Sequence, residues 1–424
     1  MNHDRRDIRA RSSRIRGLAS QARRTLRAIL RWRDKRFARQ IAASRRRPRA
    51  AMRPSRALQR FERLLATALP AREIPTAKIL IGDQVGVRAV RLSREMRQLR
   101  PFSTPIADSA YRYCADEPQW GEQYVSWARQ VAGVRHWFGL GPEASDAQLL
   151  PGDSNQGLVG RSAKDSPILV RRVVGSDHFQ AVDGHHRVGE ASVGGAPTVS
   201  AACLPGRVRT PMQRYLRAMN WIDGDDAMYQ PLPVPELGHW TVVRQCSDRA
   251  SMMQRELKNC GQVATYLDVA CSYGWFLAWA ESFDLAATGI EVDPLAPVLA
   301  REAFGLDPKQ IVVGDALSVL EKADSTWDVV SCFSLLHHFA SENPALAQRL
   351  AASLGRVTER VLFLDTGSSL ESWFSTNQAL EEDAQVELVM EGGGFSRCER
   401  LGRDQDSQGR TDGNYGRMLV AFYP

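Results

Sequence analysis

The chain has 424 residues, of which 43% are hydrophobic and 25% charged, with a formal net charge of +8. This length predicts two or three domains, and the composition is ordinary for a globular protein. No run of about 18 apolar residues occurs and the first residues lack an apolar leader, so we expect neither a transmembrane helix nor a secretory signal.

The charge is distributed unevenly along the chain. Residues 1–100 contain 29 Lys and Arg against 7 Asp and Glu, whereas the remaining residues carry a net charge of −14. The globular body is therefore acidic. Because phosphate backbones bind to basic surfaces, we do not expect this body to bind nucleic acid.

The basic segment, residues 1–70, is predicted to be an amphipathic helix or a disordered, solvated tail. Apolar residues recur in it at helical spacing: Ile15, Leu18, Ala22, Leu26, Ile29, Phe37 and Ile41. Such a helix could bind nucleic acid or make peripheral contact with an anionic membrane surface. Two other interpretations stay open: sequence upstream of a later start at Met52, and an Arg-rich organellar transit peptide.

The number and spacing of the cysteines indicate the redox state of the cellular compartment. The seven cysteines are scattered and no C-x-x-C pair occurs. This pattern favours a reducing environment and argues against a zinc site. We therefore expect a cytoplasmic protein without a bound metal.

Residues 71–149 are predicted to be a helical lead-in, since they are polar with scattered aromatic residues. We find no motif there that indicates chemistry. Residues 150–210, in contrast, read as strand, turn, strand, helix and strand, with the turn at Gly175-Ser176-Asp177 and the helix beginning near His185. This order predicts a small α+β domain.

The run Gly184-His185-His186-Arg187 joins a strand end to the start of that helix. Free backbone N–H groups at a helix N-terminus favour anions, and Arg187 adds a phosphate donor. The segment resembles the ParB/sulfiredoxin-like fold, whose G-x-H/R-R loop holds nucleotide phosphates. A histidine, His185, stands where sulfiredoxins have their reactive cysteine, so we expect no reductase chemistry. The alternative is a domain that now only shapes a channel or an interface.

Residues 211–260 are predicted to be a connector that ends in a lid helix, SDRASMMQREL. Arg244 lies just before this helix in sequence, and Arg249 lies within it. Either could bind a ligand carboxylate, or each could form a surface salt bridge.

Residues 261–424 contain four strand ends in series. An apolar strand runs into Asp268, followed by a turn of small residues and a helix: Ala270, Cys271, Ser272, Tyr273 and Gly274. Later strands end at Glu291, at Asp315 and near Ser334. Small residues let backbone approach a ligand closely, which predicts a nucleotide-type cofactor site at the carboxyl edge of an α/β sheet.

These motifs resemble those of class I S-adenosylmethionine (SAM) methyltransferases, whose first loop reads D/E-x-G-x-G-x-G. The resemblance implies a Rossmann-like seven-stranded sheet with SAM as the cofactor. It implies that Glu291 binds the ribose hydroxyls and that Asp315, followed by Ala316, meets the adenine amino group. The other cofactor residues it implies are Asp268, Ala270, Ser272, Tyr273, Gly274 and Ser334. Alanine and serine replace two motif glycines, and the alternative is a series of ordinary strand ends.

Three residues are candidates for catalysis: His338, His337 and Asp365. All three follow strands at the expected ligand edge, and a histidine can remove a proton from an acceptor near neutral pH. A structural histidine and a helix-capping aspartate are the alternatives. Tyr415 is a further candidate for contact with the acceptor.

The fourth motif, SCFSLLHHF, lacks the Pro-Pro pair of amino-group DNA methyltransferases. We therefore do not expect methylation of DNA bases. The loop is more similar to those of small-molecule or glycan O-methyltransferases, and this resemblance implies methylation of an oxygen, or less favourably a nitrogen, on a small molecule or saccharide. Two alternatives remain: a nucleotide-binding regulatory or scaffold protein with a degenerate methyltransferase fold, and an RNA methyltransferase recruited by the basic tail.

Overall fold

The computed structural model describes residues 68–81, 104–105, 168–219, 226–367, 381–405 and 416–424. The chain divides into two compact units, residues 1–226 and 227–424. The boundary falls inside the predicted connector. The basic tail up to residue 67 and the candidate Tyr415 lie outside the described residues.

The first unit is built on a six-stranded sheet with the order β1-β6-β4-β5-β2-β3. Its strands are β1 Ala71–Pro75, β2 Ile79–Ile81, β3 Thr104–Pro105, β4 Ile168–Val173, β5 Phe179–Asp183 and β6 Thr198–Val208. A 3-10 turn spans Thr76–Lys78, α1 spans His185–Val193 and α2 spans Pro211–Met219. From β4 to β6 the elements follow the predicted order of strand, turn, strand, helix and strand.

Residues 71–81, which we expected to belong to a helical lead-in, form two strands joined by a 3-10 turn instead. Ile74 of β1 pairs with Val199 of β6, and Leu80 of β2 pairs with Gln180 of β5. Both partners lie at least a hundred residues away along the chain, so local sequence carries no signal for them. Apart from β3, residues 82–149 lie outside the described part of the chain.

The second unit begins with a short parallel pair, β7 Ala227–Met228 and β8 Thr241–Val242, separated by a 3-10 turn at Pro235–Leu237. Helix α3 then spans Ser247–Leu257, the residues predicted for the lid helix. Within the described ranges, no helix combines the length and the apolar character needed to cross a membrane.

The main sheet of this unit has seven strands in the order β11-β10-β9-β12-β13-β15-β14. The strands are β9 Thr265–Val269, β10 Ala286–Glu291, β11 Ile311–Val313, β12 Trp327–Cys332, β13 Thr358–Asp365, β14 Arg397–Arg403 and β15 Met418–Tyr423. The last strand, β15, runs antiparallel to both of its neighbours, and the pairings among β9 to β13 are parallel. The predicted seven-stranded α/β sheet is confirmed.

Helices connect the parallel strands: α4 Trp275–Glu281, α5 Ala296–Phe304, α6 Ala316–Leu320, α7 Leu336–Glu342, α8 Pro344–Val357 and α9 Glu382–Gly393, with a 3-10 turn at Pro308–Gln310. Both faces of the sheet are buried. Tyr266, Val329 and Phe363 belong to the core on one face, whereas their chain neighbours Leu267, Val330 and Leu362 belong to the core on the other. This explains why the strands read as continuous apolar runs.

Strands β9 and β12 are adjacent, although three helices and two strands separate them in sequence. The strand order reverses between them. In open α/β sheets, such a reversal leaves a crevice outside the carboxyl ends of the strands, where ligands bind. The loops after β9, β10 and β12 therefore form the candidate site.

Candidate active site

The loop after β9 adopts an unusual backbone conformation. Ala270, Ser272 and Gly274 all have positive φ, at 63°, 52° and 86°. Non-glycine residues seldom occupy this region, because their Cβ atoms crowd the backbone at a cost of about 1–2 kcal/mol each. Such strained residues cluster at functional sites. The loop therefore has the backbone path of a glycine-rich turn, although two of the glycines are replaced.

Gly274 is the glycine of this loop that has no room for a side chain. A Cβ atom there would lie 2.9 Å from Leu306 Cδ1 and 3.2 Å from Ala300 Cβ. Gly274 also begins α4 with its left-handed φ. Space together with conformation thus explains why glycine remains at position 274.

Replacing Ala270 by glycine is expected to leave the second unit as stable as before, or to stabilise it by up to about 1 kcal/mol. Relief of the positive φ outweighs the extra entropy that glycine has in the unfolded chain. The matched control is Ala278→Gly in the middle of α4, which should destabilise by about 1 kcal/mol. Native-state hydrogen exchange of the β9 and β12 amides measures both changes. Equal destabilisation by the two substitutions would contradict the left-handed conformation at Ala270.

Glu291, at the end of β10, organises the neighbouring loops. Its Oε2 accepts a hydrogen bond from the backbone N–H of Ser272 at 2.9 Å. Its Oε1 accepts from the N–H groups of Val292 and Asp293 at 2.8 and 3.0 Å. Burial raises the pKa of Glu291, and these backbone hydrogen bonds oppose the increase. The carboxylate thus connects the first and second motif loops at the ligand edge.

Asp268 is 2% exposed, near the end of β9. Its Oδ1 accepts a hydrogen bond from Ser331 Oγ at 2.6 Å. Its Oδ2 is buried and has no hydrogen-bond partner among the described residues. Burial raises the pKa of Asp268 to about 7, while Ser331 and Arg249 oppose the increase. An unpartnered buried oxygen of this kind suits a cationic group of a ligand.

Asp315 is exposed and caps α6, since its Oδ1 accepts from the backbone N–H of Ser318 at 2.9 Å. Ala316, half-buried, is the first residue of that helix. Asp315 follows β11, the strand next to β10 in the sheet. The sheet therefore brings Asp268, Glu291 and Asp315 to one edge.

Ser334 follows β12 with a φ of 56°. Its backbone N–H donates to Asp365 Oδ1 at 2.5 Å, and its Oγ donates to Asp365 Oδ2 at 3.3 Å. The same Oγ accepts from Arg417 Nη1 at 2.6 Å and from the hydroxyl of Tyr229. These four hydrogen bonds hold a strained residue in place, which is the condition under which such a conformation persists.

Asp365 belongs to a buried charge cluster, which we define as Arg244, Arg249, Arg417, Asp365 and Asp404. None of the five is more than 3% exposed. Asp365 lies 3.3 Å from Arg249 and 3.4 Å from Arg417, and Arg244 pairs with Asp404. Burial opposes the ionisation of Asp365, but the three arginines together lower its pKa. Burial raises the pKa of Asp404 to about 6 despite its arginine neighbours.

Arg249 also lies against aromatic rings. Its guanidinium carbon is 5.4 Å from the ring centroid of Phe276 on α4 and 5.1 Å from that of Phe333 after β12. Arg249 therefore links the first motif helix, the end of β12 and Asp365. Both predicted ligand arginines, Arg244 and Arg249, are engaged with carboxylates of the protein, and surface salt bridges were the wrong alternative.

The two adjacent histidines differ in their surroundings. His337 is 4% exposed, whereas His338 is exposed, and their ring centroids are 4.3 Å apart. A Cβ atom on Gly367 would lie 2.6 Å from His337 Cβ, so His337 packs directly on the chain after β13. Burial, with Arg417 and His338, lowers the pKa of His337 to about 2. His337 is therefore neutral and a very weak base, and its environment is that of a structural residue.

Three residues of this site carried no recognisable signal in sequence: Tyr229, Asp404 and Arg417. The backbone N–H of Asp404 donates to the carbonyl of Arg417 at 2.9 Å. Each of the three lies outside the four motif loops and reaches the site only through the fold. Within the described ranges, no group of three or more potential ligand residues is arranged to hold a metal ion.

In the first unit, Gly184 has a φ of 87° and precedes α1. Its backbone N–H donates to Asp183 Oδ1 at 2.8 Å. Burial lowers the pKa of His185, and the nearby Asp183 opposes this change. Burial also lowers the pKa of Arg187, again opposed by Asp183. The carboxylate of Asp183 thus offsets the positive potential of the helix start, which disfavours a strong phosphate site.

The similarity to known proteins lies in the second unit of the chain. The sequence model of a methyltransferase domain family matches residues 267–356. Residues 267–356 are thus similar to a methyltransferase domain. The match contains β9 to β12 and their loops, and it supports S-adenosylmethionine as the cofactor of this domain.

Solved structures with some similarity include WbdD, at 18% identity over 46% of this chain and 44% of WbdD, with a TM-score of 0.38. Another is magnesium protoporphyrin IX methyltransferase from Synechocystis PCC 6803 with bound SAM, at 18% identity over 42% of this chain and 79% of that one, with a TM-score of 0.31. The aligned part thus spans less than half of WbdD. A search of the curated proteins found no significant match.

Proposed function

We propose that the methyltransferase domain methylates an oxygen atom of a small molecule or saccharide. The observation that carries this proposal is the loop after β9. Ala270 and Ser272 keep the left-handed backbone of a glycine-rich loop, and Glu291 holds the N–H of Ser272. A degenerate fold would have no reason to retain this strain, which supports a working cofactor loop.

The residues present fit SAM by their chemistry. Glu291 retains lone pairs for the ribose hydroxyls, and Asp315 keeps one carboxylate oxygen for the adenine amino group after capping α6. The unpartnered Oδ2 of Asp268 suits a positive charge. Ala270, Ser272, Tyr273 and Gly274 would line the backbone path beside the cofactor. When bound, SAM supplies an electrophilic methyl group on a sulfonium.

The loop after β12 supports oxygen as the acceptor atom. Cys332-Phe333-Ser334-Leu335 contains no proline, unlike the loops of amino-group DNA methyltransferases. In this proposal, Ser334 and Asp365 shape the acceptor side without exchanging protons, since both are held by the charge cluster. His338, the exposed histidine at the start of α7, would accept the proton from the acceptor hydroxyl.

The experiment is transfer of labelled methyl from SAM by the full chain to a panel of saccharides, phenols and transfer RNA. We expect label in alkali-stable ethers of one small-molecule or saccharide class. His338→Ala should lower kcat by about 100-fold or more, because a positioned base contributes about 10²–10⁴. His337→Ala should act mainly through stability. Label confined to RNA would support recruitment by the basic tail instead, and SAM binding without any transfer would contradict the proposal.

The Gly184–Arg187 loop motivates a second proposal of nucleotide binding by the first unit. It is favoured by the left-handed Gly184 at the start of α1 and by Arg187 beside it, whose Nη2 would lie 2.9 Å from a Cβ atom on Gly184. Asp183 weighs against it. Titration of the full chain with a nucleoside triphosphate, compared with Arg187→Ala, tests the idea independently of SAM.

A further inference from the structure

Three polar side chains lie in the interior of the main sheet, where apolar residues predominate. Tyr266 and Asp268 are two residues apart on β9 and so point to the same face, and Ser331 is the direct partner of Asp268 on β12. Tyr266 and Ser331 are fully buried. Ser331 Oγ lies 2.6 Å from both Tyr266 Oη and Asp268 Oδ1. Such buried networks are costly unless their hydrogen bonds are satisfied.

The network leaves one atom without a partner. Ser331 engages Oδ1 of Asp268, while Oδ2 stays buried without a hydrogen bond in the part of the chain that the structure describes. Ala270, two residues after Asp268, begins the strained loop. An unpartnered buried carboxylate oxygen at this position requires a ligand donor or cation to offset its desolvation.

We propose that Ser331 is a positioning residue that holds Asp268 Oδ1, so that Oδ2 faces the positive charge of SAM and Asp268 releases a proton to solvent when SAM binds. The inference rests on the proposed function, because it requires SAM as the ligand. It assigns a role to Ser331, the first residue of the fourth motif SCFSLLHHF, for which the motif itself predicted none.

The charges around Asp268 determine how the affinity for SAM changes with pH. Burial raises the pKa of Asp268 to about 7; Ser331 and Arg249 oppose the increase, and Glu291 adds to it. The other titratable groups that face Asp268 stay neutral near pH 7, because burial raises the pKa of each well above its usual value: Tyr266, Cys271 and Cys332. A cationic ligand favours the carboxylate, so the affinity for SAM rises with pH and levels off above about pH 7.

Calorimetric titration of SAM into the full chain between about pH 5.5 and 7.5 tests this, because the α-amino group of SAM stays charged below about pH 7.7. Two buffers with different ionisation enthalpies report the protons released. For the wild type we expect SAM binding to release protons below the pH midpoint at which Asp268 ionises in the free protein, and this release should disappear above that midpoint. Ser331→Ala should move that midpoint up by about one pH unit and weaken binding about tenfold at acidic pH. Ser331→Thr retains the hydroxyl and should restore the wild-type midpoint.

Several outcomes are distinguishable. Absence of SAM binding to the wild type at every pH would overturn the cofactor assignment and this inference with it. SAM binding with an unchanged midpoint in Ser331→Ala would overturn the inference alone. Ser353→Ala, a buried serine on α8 that is 6% exposed, controls for general loss of stability. If Ser331→Ala does not fold, Asp268→Asn decides, since binding must then lose its pH dependence, and persistent dependence contradicts the proposal.

Discussion

Glu291→Ala is expected to weaken SAM binding by at least about 100-fold, because the substitution removes two charge-assisted interactions of about 1.5–3 kcal/mol each. One is the bond from Ser272 N–H, which fixes the first motif loop. The other is the proposed contact with the ribose hydroxyls. The N–H groups of Val292 and Asp293 also lose their acceptor. Calorimetric titration of the full chain gives the dissociation constants directly.

Two controls separate charge from shape. Glu291→Gln keeps a side-chain oxygen for the N–H of Ser272 but removes the charge, so its affinity should fall between those of the wild type and Glu291→Ala. Glu281, the last residue of α4, has an exposed carboxylate that accepts a hydrogen bond from Gln310. The Glu281→Ala protein lacks this carboxylate and should bind SAM normally. Wild-type affinity in a folded Glu291→Ala protein would show that the ribose site lies elsewhere.

Asp365→Ala is expected to destabilise the second unit by about 3–5 kcal/mol, the usual cost of removing one partner from a buried ion pair. The substitution leaves Arg249 and Arg417 without their shared carboxylate, and the N–H of Ser334 without its acceptor. Native-state hydrogen exchange of the main-sheet amides reports the free energy of unfolding of this unit separately from the first.

Asp365→Asn should recover part of the loss, because an amide oxygen can still accept from the N–H of Ser334. Glu321→Ala is the matched surface control: its ion pair with Arg349 is exposed on both sides and should be worth about 0–1 kcal/mol. Because the cluster lowers the pKa of Asp365, its contribution is present above the ordinary Asp pKa and is lost only as pH falls below it. Equal effects of Asp365→Ala and Glu321→Ala would contradict the structural importance of the cluster.

The proposed cofactor side of the site could be predicted from sequence because its signals are local. Asp268, Glu291 and Asp315 each end an apolar strand and precede a turn or helix, so a few neighbouring residues reveal their position. Gly274 is also marked locally, because it lies in the turn before α4, where a Cβ atom would crowd neighbouring side chains. The parallel order of the strands then brings the three acids to one edge.

The proposed acceptor side could be predicted from sequence to a much smaller extent. Asp404 contacts Arg244 from 160 residues further along the chain, and no local pattern marks either residue for that contact. His337 and His338 are neighbours in sequence, yet one is buried and the other exposed. Their environments depend on how α7 packs against the chain after β13.

Sequence by itself predicted the seven-stranded α/β sheet, the similarity to methyltransferases and the position of the proposed cofactor loops. Tertiary structure alone decided that residues 71–81 form two paired strands and a turn, that Asp365 belongs to a buried charge cluster, and that Ser331 contacts Asp268. The physical reason is the range of the interactions. Turns, caps and apolar periodicity act over a few residues, whereas strand pairing, burial and buried ion pairs join residues that meet only when the chain has folded.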